Sequence, residues 1–122
     1  MPVLTYASDV TRPKPLVWLH GEVKTPPFSR DARIEAGFLL RRLQNGDVLG
    51  MPASRPLPIL GPNCHELRIT DRDAVWRIAY HLAPDAVVIL EVFSKKMRAL
   101  PKAVADAARR RLREYLRLTK EE

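Results

Sequence analysis

The chain has 122 residues, of which 46% are apolar, and its 21 Lys and Arg against 14 Asp and Glu give a net charge of +7. This length suits one compact domain, and no stretch approaches the roughly 18 consecutive apolar residues of a membrane span. A single cysteine, Cys64, excludes an internal disulfide and a multi-cysteine metal cage. With no secretory signal in the first 20 residues, we expect a cytoplasmic protein without membrane association and a buried Cys64 thiol.

The positive charge is concentrated at the end of the chain. Residues 1–94 contain 11 basic and 10 acidic side chains, whereas residues 95–122 contain 10 basic and 4 acidic ones. A local excess of cations attracts polyanions, most often nucleic acid. The alternative is a solvated helix face, which charge alone does not exclude.

The first half of the chain predicts an arm, a strand and a helix. Residues 1–14 have no sustained periodicity and read as a flexible arm, and the apolar run 16–20 reads as a strand. Thr25 or Ser29 can cap a helix that ends at Asn45-Gly46. Its apolar side chains recur every three or four residues and predict one core-facing stripe: Phe28, Ala32, Ala36, Leu39, Leu40 and Leu43.

The second half predicts a loop, three strands and a helix. Four prolines between residues 51 and 62 exclude a helix or a central strand there. Residues 66–70 and 75–81 alternate around a turn at 71–73, and the apolar run 86–93 suits a central strand. From Pro101 onward, a second helix has one apolar face, made of Val104, Ala108, Leu112, Tyr115, Leu116 and Thr119.

This order of elements predicts an α+β fold, a small curved and mainly antiparallel sheet flanked by helices. We expect a single domain over residues 15–118, followed by a short tail at 119–122.

Familiar cofactor and metal motifs are absent from the sequence. It has no glycine-rich phosphate loop, no paired Cys-x-x-Cys and no His-Glu-x-x-His, so we expect no cofactor and no metal. His20, His65 and His81 are scattered, and His65 is the best placed for proton transfer because it directly precedes the strand that contains Glu66 and Arg68.

Cations converge at one side of the predicted sheet. Arg68 and Arg77 lie on neighbouring strands, away from the face that contains Trp76, and further cations follow the last strand: Lys95, Lys96 and Arg98. Arginines on rigid strands can stabilise the charge that develops on a phosphodiester without a metal. The alternative is that Arg68 or Arg77 pairs with Glu66, Asp71 or Asp73 across the sheet.

Several ordered motifs resemble the phage-derived, HigB-like branch of the RelE/ParE toxin superfamily over about residues 14–118. They are Pro-Leu-Val-Trp-Leu at 15–19, Ala-Gly-Phe-Leu-Leu-Arg-Arg-Leu-Gln-Asn-Gly at 36–46, Glu-Leu-Arg-Ile at 66–69, Trp-Arg-Ile-Ala-Tyr at 76–80 and Val-Phe-Ser-Lys-Lys at 92–96. A helix with Ala-Arg-Arg-Arg-Leu at 108–112 follows Leu100-Pro101, where the family usually has Thr-Pro.

The resemblance implies a RelE-like fold and a toxin that is a metal-independent endoribonuclease (an mRNA interferase). Such an enzyme cleaves mRNA on the ribosome by attack of the 2′-hydroxyl on the adjacent phosphate, and so inhibits translation. By resemblance, Arg77, Lys95 and Lys96 match the active surface of the family, and Arg68 matches its Glu-Leu-Arg strand. We take Arg68 as a further catalytic candidate, and His65, Tyr80 and a lysine are open alternatives for the general base. The implied partners are mRNA on the ribosome, with ribosomal RNA contacts, and a cognate helix-turn-helix antitoxin.

The basic residues that follow the last strand are candidates for RNA binding rather than bond breaking: Arg98, Lys102, Arg109, Arg113 and Arg117. The spacing of the last three places them along one side of a helix, which suits a nucleic-acid backbone or an acidic partner.

Two other functions stay open at this point. One is a ParE-like toxin that inhibits DNA gyrase and cleaves nothing, and the other is a non-catalytic RNA-binding domain. The strand arginines and the Lys95-Lys96 pair favour the nuclease.

Overall fold

The computed structural model describes residues 12–72, 74–94 and 100–120. Two helices and five strands follow one another along the chain as β1 (Leu16–Trp18), α1 (Arg30–Gln44), β2 (Ser54–Pro56), β3 (Cys64–Thr70), β4 (Val75–Leu82), β5 (Val87–Ser94) and α2 (Lys102–Lys120). The strands form one sheet in the order β1-β5-β4-β3-β2. β1 runs parallel to β5, and the other neighbours are antiparallel. The predicted α+β fold is confirmed.

The sheet has a core on each face. α1 packs on one face against alternate residues of the central strands, among them Leu67, Ile78 and Ile89. α2 packs on the other face against a second set that includes Ala79, Val88 and Leu90. Because successive side chains of a strand point to opposite faces, β5 is apolar almost without interruption. It lies between β1 and β4, as its composition predicts.

The α1 stripe predicted from the sequence is buried in full. Ser29 rather than Thr25 caps the helix, since its Oγ accepts a hydrogen bond from the Ala32 amide at 3.0 Å. This bond satisfies one of the amides left free in the first turn.

The turn between β3 and β4 is attached to the start of α1 by Asp71. Its Oδ2 accepts hydrogen bonds from the Ser29 amide and from Trp76 Nε1, both at 2.9 Å. The Trp76 ring in turn stacks on Phe28 with ring centroids 4.2 Å apart. One carboxylate thus links the helix to the hairpin.

The proline-rich segment 51–62 is more regular than its sequence suggests. It contains the edge strand β2 and a single 3₁₀ turn, Pro58–Leu60. Proline is tolerated in β2 because an edge strand does not need every amide as a donor.

The buried face of α2 lies nearer the start of the helix than predicted. Ala105, Ala108 and Leu112 are buried, whereas Leu116 and Thr119 are exposed. The helix therefore packs on the sheet mainly through its first three turns, and its last turns extend into solvent. Cys64 is buried in this second core, as expected, and burial raises the pKa of its thiol to about 11.

The two ends of the predicted domain are more ordered than the sequence suggests. In the predicted arm, the Lys14 amide donates to the Gln44 carbonyl at 2.8 Å, and Lys14 Nζ donates to the Ala83 carbonyl at 3.0 Å; residues 1–11 lie outside the described residues. In the predicted tail, residues 119 and 120 continue α2. Neither helix of the described part is long and apolar enough to cross a membrane.

Candidate active site

On the face of the sheet that α2 covers, charged side chains lie beyond the apolar residues that α2 contacts. They lie toward the Thr70 end of β3 and the Val75 end of β4. We call four of them the arginine cluster, which consists of Arg55, Glu66, Arg68 and Arg77. The cluster contains three cations and one carboxylate.

The register of the strands brings these residues to one face. Arg55 of β2 lies opposite Glu66 of β3, and Arg68 of β3 lies opposite Arg77 of β4. Arg77 is in turn opposite Phe93 of β5, which packs in the α2-side core. Directly opposed residues of antiparallel strands share a face, so all four side chains leave their strands on the α2 side.

Glu66 is the centre of the cluster and is completely buried. Its Oε2 accepts a hydrogen bond from Arg77 Nη1 at 2.5 Å, and its Oε1 accepts one from Arg55 Nη2 at 3.2 Å. A carboxylate without water is tolerated only when it is paired and hydrogen-bonded. The pairing of an arginine with Glu66, which the sequence left as an alternative, is therefore present.

Arg77 is less accessible than the sequence analysis expects. It does point away from the face that contains Trp76, but the opposite face is also covered, and only 5% of the residue is exposed. Period-two alternation distinguishes the two faces of a strand but cannot tell a solvated face from a second core. Arg77 is part of the interior as well as of the candidate site.

Arg68 differs from its neighbours because no ion pair or side-chain hydrogen bond engages its guanidinium among the described residues. Its Nε is buried without a partner, and its side chain lines an open cavity of about 310 Å³ together with Glu35, Pro52, Ala53 and Thr70. Glu66 is already paired with two other arginines. Among the described residues, Arg68 is thus the arginine of the cluster that no carboxylate engages.

His65 and Tyr80 are not brought together with the arginines. They are opposite each other on β3 and β4, on the α1 side, with ring centroids 5.4 Å apart. Tyr80 is only 1% exposed and its hydroxyl lies 2.6 Å from Ser54 Oγ; burial raises the pKa of Tyr80. The sheet itself separates these two side chains from the arginine cluster.

The other predicted cations divide into two groups. Lys95, Lys96 and Arg98 lie outside the described residues. On α2, Lys102 and Arg109 share the Asp106 carboxylate at 2.9 and 2.7 Å, and Arg117 pairs with Glu114 at 2.6 Å. Arg113 is exposed, and no ion pair engages it within the described part of the chain.

A histidine–carboxylate pair that no sequence pattern predicts lies on the same side of the sheet as the cluster. His20 Nδ1 lies 2.7 Å from Glu91 Oε1. The two residues are 71 positions apart and meet only because β1 pairs with β5, a parallel pairing that no local motif announces. Among the residues that the structure describes, no group of three or more metal-ligating side chains is placed to hold an ion.

The fold and the site define a small α+β domain with an arginine-rich cluster on one face of its sheet. The family model "Phage derived protein Gp49-like (DUF891)" matches residues 27–113, well over half of the chain. The chain therefore belongs to the Gp49-like family, a RelE/HigB-like toxin family of toxin–antitoxin systems. A comparison with curated protein sequences finds no match.

Proposed function

We propose that this toxin, a member of the HigB-like branch, is a cytoplasmic, metal-independent endoribonuclease that cleaves mRNA on the ribosome. In the proposed reaction the RNA 2′-hydroxyl attacks the adjacent phosphorus and the bond to the 5′-oxygen breaks. The products are a 2′,3′-cyclic phosphate and a 5′-hydroxyl end. A helix-turn-helix antitoxin would be its cognate partner.

The observation that supports this proposal is the composition of the arginine cluster. Two guanidinium groups, those of Arg55 and Arg77, share the buried Glu66 carboxylate, and that of Arg68 is not paired with it. The cluster therefore has an excess of two positive charges on neighbouring strands of one sheet. Preorganised cations of this kind are effective where negative charge develops on phosphate oxygens, because they need no rearrangement during the reaction.

The members of the cluster have different roles in this proposal. Arg68, which is not engaged by a carboxylate, contacts the scissile phosphate. Arg77 acts as a positioning residue. Its guanidinium is held in place by Glu66 and supplies a fixed positive charge beneath the substrate. Lys95 and Lys96, which match the family motif, bind flanking phosphates. Arg98 and the cations of α2 contact RNA away from the reacting bond, a role inferred from their charge and position along the chain. We assign no role in the reaction to His65 or Tyr80, since the sheet lies between them and the cluster.

The test is to incubate the purified protein with ribosomes that translate a defined mRNA and to map the new 5′ ends. A second mRNA with a 2′-deoxynucleotide at the mapped position should resist cleavage, because its nucleophile is missing. Free mRNA without ribosomes measures the ribosome dependence.

The same experiment separates the other functions. If the mRNA stays intact on the ribosome while DNA supercoiling by gyrase is inhibited, the ParE-like function replaces the nuclease. Binding to ribosomes without any cleavage would instead support a non-catalytic RNA-binding domain.

A further inference from the structure

We propose that His20 is the general base of this toxin and that Glu91 is its positioning residue. This inference rests on the proposed nuclease function and adds to it the group that accepts the proton of the 2′-hydroxyl. It replaces the base candidates of the sequence analysis with a pair on the arginine side of the sheet.

As a first argument, three groups hold the Glu91 carboxylate in place. Its Oε1 lies 2.7 Å from His20 Nδ1 and accepts the Val92 amide at 3.1 Å. Its Oε2 lies 3.5 Å from Arg111 Nη1, and that nitrogen also donates to the Leu90 carbonyl at 2.9 Å. The Glu91 side chain is only 14% exposed. A carboxylate fixed from three sides imposes one orientation on the imidazole.

The second argument is the state of the imidazole that results. A carboxylate oxygen can only accept a hydrogen bond, so Nδ1 is the donor in this contact and Nε2 is the ring nitrogen that faces away from it. Nε2 has no hydrogen-bond partner within the described residues, and the His20 side chain is 54% exposed. This division, one nitrogen on a carboxylate and the other free, is the arrangement that hydrolytic triads use for general-base catalysis.

The third argument is the location of the pair. Glu91 lies opposite Ala79, and Phe93, two residues later on β5, lies opposite Arg77. Glu91 and Arg77 are therefore diagonal neighbours on the α2-side face, a relation that corresponds to about 7–8 Å. Glu91 and Arg77 thus leave their strands on the same face, and Arg68 lies opposite Arg77, one strand farther from the pair.

The loop that carries His20 is built to approach β5 closely. Gly21 has a φ of 87°, and a Cβ at this position would lie 2.9 Å from the Val92 side chain. Only glycine combines this backbone conformation with that contact. The close approach brings His20 within reach of Glu91.

In the proposed step, Nε2 of His20 accepts the proton of the 2′-hydroxyl as the 2′-oxygen bonds to phosphorus. The bond between phosphorus and the 5′-oxygen breaks, and the 5′-oxygen takes a proton from water. His20 then returns its extra proton to solvent. Glu91 keeps its contact with Nδ1 during the step and stabilises the imidazolium.

The experiment measures single-turnover cleavage of mRNA on saturating ribosomes by the full chain and its variants. His20→Ala should lower the rate by about 10²–10⁴-fold, the usual range for loss of a general base. Free imidazole in the buffer should restore part of the rate in this variant, because His20 is exposed and its removal leaves room for the small base. Glu91→Gln should lose about tenfold or more, with ribosome binding unchanged in both variants.

The matched control is Glu22→Gln, an exposed carboxylate two residues from His20 that pairs with Lys24 at 3.1 Å. It should cleave at the rate of the parent protein. If the parent protein cleaves and His20→Ala cleaves equally well, or loses activity that imidazole does not restore, the assignment of His20 is wrong. If the parent protein itself does not cleave, the nuclease function fails instead.

Discussion

At the scale of single residues, the Arg77–Glu66 pair joins the stability of the domain to its proposed chemistry. A buried ion pair adds little stability compared with an apolar pair, because both charges lose their hydration. Removal of one partner is costly, however, since the other is left as an uncompensated buried charge. Arg55 compensates Glu66 only from a partly exposed position.

Arg77→Ala should therefore lower the free energy of unfolding by about 3–5 kcal/mol, which urea denaturation would measure. The control is Arg42→Ala, which removes an exposed pair with Asp47 and should cost about 1 kcal/mol or less. A stable Arg77→Ala variant would mean that Glu66 is satisfied without Arg77. Because of this cost, loss of toxicity in Arg77→Ala does not by itself identify a catalytic role.

At the scale of elements, the β3–β4 hairpin is attached to α1 through Asp71, and this attachment depends on pH. Hydrogen bonds, above all from the Ser29 amide, hold the pKa of Asp71 well below its ordinary value of 3.8. A carboxyl group with a lowered folded-state pKa contributes stability above its unfolded-state value and loses it as the pH falls toward its folded-state value.

We expect the free energy of unfolding of the parent protein to fall below about pH 3.8 in part through Asp71. Asp71→Asn should be less stable at neutral pH and show a shallower decline below that pH, as measured by urea denaturation at a series of pH values. Asp85→Asn, at an exposed position of the β4–β5 turn, should keep the pH dependence of the parent. If the free energy of unfolding of Asp71→Asn falls in acid as steeply as that of the parent protein, this role of Asp71 is refuted.

The cations of α2 differ in whether they are already paired with a carboxylate. Lys102, Arg109 and Arg117 are paired within the helix, whereas Arg113 is exposed and is engaged by no ion pair in the described ranges. We therefore expect Arg113→Glu to weaken ribosome association and to reduce the slope of log K against log salt by about one. Cleavage at saturating ribosomes should change far less.

Cosedimentation with ribosomes at several salt concentrations measures this effect. The comparison variant is Lys102→Glu, whose cation is already compensated by Asp106 and which should have a smaller effect on the slope. Equal losses of binding and of saturated cleavage in Arg113→Glu would place α2 within the reacting centre. Unchanged binding would leave Arg113 as a solvated side chain.

At the scale of the whole molecule, local patterns were sufficient to predict most of the elements. The three-and-four spacing of α1 gives its buried face directly, and the run 86–93 indicates an interior strand. The short β2 is not apparent in the proline-rich segment 51–62, because an edge strand needs few of the features by which a strand is recognised. The parallel β1–β5 pairing is a long-range contact and leaves no mark in either segment.

The difference between local patterns and long-range contacts also explains how much of the site could be predicted. Arg68 and Arg77 lie on two strands that the sequence predicts to pair as a hairpin. Their proximity could therefore be predicted. The burial of Arg77 depends on what covers the second face, and the His20–Glu91 pair depends on the parallel pairing. Neither can be derived from the local sequence.

The most direct test of the account is the cleavage rate of Arg68→Ala on saturating ribosomes, with its unfolding measured in parallel. Arg68 has no ion pair in the described part of the chain, so its removal should leave the free energy of unfolding nearly unchanged. The account predicts that the single-turnover rate falls by about 10²–10³-fold. A folded Arg68→Ala variant that cleaves mRNA at the parent rate would contradict the claim that the arginine cluster is the active site.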